Sequence, residues 1–115
     1  MDRKLQGVTI LNEAAATVGT YTSNPPVELE VIQNVGIQVN WSGGSGGPAG
    51  TISVECSNDN LTYTALTLSA VPTITGKSGS ILINLNQVPF SWVRIVVTIT
   101  AGTMALVAKL SAKEA

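Results

Sequence analysis

WVRIVVTITAGTMALVAK, residues 92–109, decides the fold class. Its first half, Trp92 to Thr100, is almost unbroken β-branched and aromatic residues, the side chains that fit a pleated, half-buried surface. Ala101-Gly102 reads as a tight turn, and Met104 to Lys109 as a returning last strand. Eighteen residues of this kind leave no room for helical spacing.

Working outward, the same period of two recurs. Asn86-Gln87-Val88-Pro89-Phe90 is a corner that feeds the Trp92 strand, and before it Ile81, Ile83 and Leu85 alternate with Leu82 and Asn84. Val71-Pro72 and Gly76-Lys77-Ser78-Gly79 bracket a loose connection. Thr51 to Ser57 is a strand with Ile52, Val54 and Cys56 inward, Asn58-Asp59-Asn60 is hairpin chemistry, and Leu61 to Leu68 returns from it. Val35, Ile37, Val39 and Trp41 form another alternating stripe after a Gln33-Asn34 turn. Between the two lies Ser42 to Gly50, SGGSGGPAG, which reads as a flexible loop.

The N-terminal part is less regular. Gly7 to Leu11 reads as a strand, and Asn12 to Ala16 either as a helical turn or as a bulged continuation of it. Ser23-Asn24-Pro25-Pro26 breaks the chain. Val27, Leu29 and Val31 then alternate with Glu28 and Glu30, one face apolar and the other acidic. About eight strands with turn signals every eight to twelve residues predict an all-β fold, an antiparallel two-sheet β-sandwich of jelly-roll-like type. Residues 1–115 are expected to form one domain, with 1–24 as an extended arm or an edge strand.

Composition narrows the function. Of 115 residues, 44% are hydrophobic and 11% charged, where a soluble domain usually has about 25% charged. Thr, Ser, Asn and Gly replace the missing charge, so little like-charge repulsion keeps copies apart, and life in an assembly is expected. The net charge is −1 and the basic residues are dispersed, Arg3-Lys4 being their one adjacent pair. No patch exists to neutralise phosphates, so neither nucleic acid nor a charged membrane surface is an expected partner. Met-Asp-Arg-Lys is followed by no apolar run of signal-peptide type, and no stretch approaches the roughly 20 apolar residues of a membrane helix.

Catalytic equipment is scarce. There is no histidine, which removes the commonest general base and zinc ligand. Cys56 is the single cysteine, at an inward strand position, and reads as a buried inert thiol made in a reducing compartment. Glu28 and Glu30 share a strand face, but a solvated or partner-facing edge suits them better than a catalytic carboxylate pair. Asp59 with Asn58 and Asn60 lacks the spaced acids of a calcium loop. Arg94, inside an apolar strand, reads as a surface residue or as the ion-pair partner of Glu28, Glu30 or Glu55. No enzyme, metal or cofactor is expected. Trp41 and Tyr63 read as packing residues, or alternatively as a stacking platform for a sugar.

One pattern spans the last two-thirds of the chain. It comprises Trp41-Ser42-Gly43, Gly50-Thr51, Ser57-Asn58-Asp59 with Tyr63, Pro89-Phe90-Ser91-Trp92-Val93-Arg94, Ala101-Gly102-Thr103 and Lys109. It resembles small β-sandwich virion proteins of tailed bacteriophages that decorate or cement the capsid, departing from the pattern at Asn60, where glycine is common. The resemblance implies a homo-oligomeric structural protein on the capsid surface, assembled in the host cytoplasm, with the major capsid protein and copies of itself as partners. The expected contacts are the N-terminal segment with Arg3, Lys4 and Leu5, the Glu28/Glu30 face, and Gly44, Ser45 and Gly46 of the glycine-rich segment. The alternatives are a receptor- or glycan-binding module of a tail fibre, and a tail or neck component.

Overall fold

The computed structural model describes residues 4–24, 26–29, 33–68 and 71–114, and side chains over these except at 4–6, 33 and 114. Two strands organise everything else: β4, Gln33–Ser57, and β8, Trp92–Glu114. They lie antiparallel along nearly their whole length, from Gln33 opposite Glu114 to Ser57 opposite Trp92. Strands of 25 and 23 residues are several times the usual five or six, and they reach that length by turning a corner midway.

The corner is visible in which residues are buried. In β4 the inward residues are Val35, Ile37, Val39 and Trp41, then Ile52, Val54 and Cys56. In β8 they are Val93, Ile95, Val97 and Ile99, then Met104, Leu106, Ala108, Leu110 and Ala112. Odd numbers give way to even ones in both strands. Because a strand shows alternate residues to opposite faces, a parity change means that an odd number of residues has been absorbed where the strand bends. The register against β8 slips between Ser42 and Ser45, between Ser45 and Ala49, and between Ala49 and Gly50.

On one side of the corner the order is β1 (Lys4–Ala16), the C-terminal half of β8, the N-terminal half of β4, and β7 (Gly79–Val88). On the other side β2 (Gly19–Thr22) and β3 (Val27–Glu28) pair with the first half of β8. There β5 (Thr64–Ala65) and β6 (Thr73–Thr75) pair with the second half of β4. The eight antiparallel strands thus form one hydrogen-bonded network folded over into two facing layers, with a single apolar cluster between them. The all-β, antiparallel, sandwich-type reading of the sequence holds.

Three local expectations are corrected and one open choice is decided. Ser42–Gly50 is a bulged part of β4 and not a flexible loop; Gly43, Gly46 and Gly47 have φ of +62°, +73° and +67°, which coil the backbone without ending the ladder. Ala101-Gly102 is not a hairpin turn: β8 runs through it, with Gly102 at φ +76° opposite the β4 bulge. Of the two readings of Asn12–Ala16, the bulged continuation of β1 is the one adopted. The strand expected over Leu61–Leu68 shrinks to Thr64–Ala65, while β2 was not anticipated. The expected Val31 position lies outside the described residues.

Ser23 shows how the break between β2 and β3 is tolerated. Its side chain is buried, and its Oγ accepts a hydrogen bond from the Ile95 N–H at 2.9 Å, while its own N–H donates to the Ile95 carbonyl at 3.0 Å. The hydroxyl stands in for a missing ladder acceptor. Ser23→Ala leaves the Ile95 N–H buried and unpaired, so chemical denaturation should show a loss of about 1–3 kcal/mol. A loss below a few tenths would mean that water reaches the site.

Candidate interaction surfaces

The two ends of the folded sheet differ in build. At the corner end, the β4 bulge meets the connection between β6 and β7 and the bend of β8. The Gly44 N–H donates to the Lys77 carbonyl at 2.9 Å, and the Ser45 and Thr103 hydroxyls bond at 2.9 Å. Gly43, Ser45, Gly46 and Gly47 are exposed here, and Val18 is 65% exposed in the neighbouring β1–β2 connection. Trp41 sits beneath this end with its indole buried against Gly79, and its N–H donates to the Thr75 carbonyl at 3.3 Å.

The opposite end carries the hairpin after β4. Ser57 is buried, and its Oγ donates to Asp59 Oδ1 at 2.8 Å while accepting from the Asn60 N–H at 3.0 Å. Asp59 Oδ1 also accepts from the N–H groups of Leu61 and Thr62, both at 2.9 Å. Asn60 takes φ +57°, a left-handed conformation that its short polar side chain tolerates. This wiring holds Leu61 out at 86% exposure on a rigid turn. Beside it, the Arg94 guanidinium lies 3.8 Å above the Tyr63 ring and bonds Glu55 Oε1 through both Nε and Nη2 at 2.8 Å. Glu55 and Arg94 are register partners across β4 and β8, which picks Glu55 from the three glutamates that the sequence offered.

The backbone N–H groups of Leu61 and Thr62, with the Ser57 hydroxyl, hold the Asp59 carboxyl down at about 2, against an ordinary value of 3.8. A carboxyl lowered by folding adds stability above its unfolded value, and that stability disappears as pH falls from about 4 through about 2. Melting curves of Asp59→Asn should therefore lie closer to wild type at pH 2 than at pH 6. An equal gap at both pH values would mean that the carboxylate does not stabilise the turn.

The sequence-derived candidates are thus divided between places. Gly44, Ser45 and Gly46 are at the corner end. Lys4 and Leu5 pair with Lys113 and Ala112 at the other end of the first layer. Exposed Glu28 lies opposite Trp92, at the hairpin end of the second layer. Arg3 and Glu30 lie outside the described residues. Trp41 and Tyr63 are not brought together: one is buried at the corner end, and the other is covered by Arg94 at the hairpin end. Sequence reasoning passed over Leu61, whose signal is an apolar residue directly after turn-forming Asn58-Asp59-Asn60.

Glu55 is committed to Arg94 and Asp59 to backbone N–H groups, and burial pushes the Cys56 thiol above its ordinary value.

No family model matches the chain, and no curated protein is similar to it in sequence. Solved structures are similar in fold. A chain of the T13 particle of infectious bursal disease virus matches 98% of this protein with a TM-score of 0.68 at 10% identity. The Gx strain of the same virus matches 99% with a TM-score of 0.68 at 12% identity. The VP2 subviral particle matches 98% with a TM-score of 0.64 at 12% identity. The present chain spans about a third of the length of these proteins (31%, 33% and 32%). At such identities the likeness is one of fold.

Proposed function

We propose that this chain is a non-enzymatic virion structural protein that binds a capsid shell as a decoration or cement subunit. The observation that carries the reading is the fold itself. Nearly the whole chain follows a β-domain found in chains that build icosahedral virus particles. The resemblance of residues 41–109 to phage virion sandwiches supports the same reading from the sequence side. An outer surface poor in charge suits a subunit whose faces are covered by neighbours.

The mechanism is mechanical. Each copy contacts the major capsid protein at adjoining shell subunits and other copies of itself, so separating the shell must also break those contacts. Binding to the assembled form alone stabilises it by mass action, and several weak contacts per copy multiply into avidity. Rigidity matters for this task, and β4 and β8 supply it by running through both layers. Leu61, Tyr63 and Arg94 form the best-built contact, because aromatic and arginine side chains dominate the energetics of interfaces.

The test uses particles assembled without this chain. Adding the purified protein should give co-sedimentation that saturates at a fixed ratio and should raise the temperature at which the shell opens. Failure to bind such particles at any ratio would overturn the reading.

A further inference from the structure

A folded sheet has strand edges, and exposed edges invite pairing unless they are blunted. Three of the edges here are. β1 carries three register breaks and Glu13. The β2–β3 edge is interrupted between Thr22 and Val27 and holds exposed Glu28. β5 and β6 have two and three residues, and Pro72 precedes β6.

β7 is different. It runs ten residues, GSILINLNQV, with no charge and no proline, and its register with β4 is continuous from Leu85 to Gly79. Among the described residues no strand pairs with its other side. Every second residue of such a strand directs its N–H and C=O away from its one partner. Alongside it lies an uncharged cleft of about 560 Å³, lined by β7 together with Leu66, Leu68, Val71, Pro72 and Phe90. Leu82 and Val71, each 65% exposed, stand on its lining.

We infer that β7 is a self-contact, adding to β7 of a second copy antiparallel about a two-fold axis. The strand is complementary to itself. With Ile83 on the axis, Ile81 faces Leu85 and Leu82 faces Asn84, and no like charges are opposed. The nine residues Gly79 to Gln87 that such an axis pairs, at about 3.4 Å each on a slab about 10 Å deep, give a footprint of roughly 310 Å². That is well below the roughly 800 Å² per partner of a stable pair, so the contact is weak alone and fills when copies are held side by side. The inference rests on the reading of an assembling virion subunit and names the surface through which copies meet.

Sedimentation of the full chain, up to about 1 mM, tests it. Wild type should self-associate reversibly. Leu82→Glu and Leu82→Lys, folded by circular dichroism, should each weaken association at least tenfold, and their equimolar mixture should restore it. Val18→Glu, altering an equally exposed residue at the corner end, should change nothing. A wild type monomeric throughout, a mixture that does not recover, or a Val18→Glu effect as large as that of Leu82→Glu overturns the β7 contact. Co-sedimentation with particles is read separately. A monomer that still binds particles removes only the self-contact, whereas a β7 dimer that ignores them removes only the virion reading.

Discussion

Replacing Gly102 by alanine is expected to lower the melting temperature by on the order of 15 °C. A Cβ there would lie 2.6 Å from the Ser45 carbonyl oxygen and 2.8 Å from the Pro48 Cα, both backbone atoms of the β4 bulge, and Gly102 has φ +76°. The left-handed backbone costs about 1–2 kcal/mol for a residue with a Cβ. Overpacking against rigid backbone adds about 1–3 kcal/mol. A sum near 3–4 kcal/mol corresponds to that shift at about 4 °C per kcal/mol for a domain of this size. Gly43→Ala is the control, since Gly43 has φ +62° but nothing within 4 Å of the added Cβ. It should cost about 1 kcal/mol, the backbone term alone. Equal losses in the two variants would mean that β4 and β8 do not press together at the corner.

Trp41→Ala should destabilise by about 3–5 kcal/mol, the usual cost of removing a buried large aromatic. The indole is 6% exposed and seats on Gly79, where a Cβ would come within 2.5 Å of Cζ2. The pair gives a sharper test than either change alone. Gly79→Ala should cost about 1–3 kcal/mol in the wild type, because the methyl collides with the ring. In the Trp41→Ala background it should be near neutral, the methyl entering vacated space. Additive losses, read by urea denaturation, would contradict the packing described. The result also bears on glycan recognition, since a tryptophan exposed as a sugar platform would be removed at little cost in stability.

The sequence made the layers legible and hid the bend that joins them. Alternation of Val35, Ile37, Val39 and Trp41, and of Ile52, Val54 and Cys56, placed both halves of β4 correctly. The change from odd to even numbering between them was already on view. SGGSGGPAG nevertheless reads as a mobile loop, because glycine permits both a floppy connection and a fixed coil. What decides between them is a partner strand, here β8, whose Thr103 meets Ser45. Ala101-Gly102 failed as a turn for the same reason.

The candidate surfaces were legible only in part. Arg94 called for a carboxylate, but the choice among Glu28, Glu30 and Glu55 needed the pairing of β4 with β8. Leu61 drew no notice as a single apolar residue; what matters is that the hydrogen bonds of Asp59 and Ser57 fix it outward. The exposure of β7 follows from strand order, which period-two patterns do not encode.

Electron microscopy of purified intact particles, with the chain carrying a small visible label, tests the central claim most directly. The account predicts a regular array of label over the shell, each copy seated against its neighbours. Label confined to a tail tip, or particles free of the chain, would contradict it.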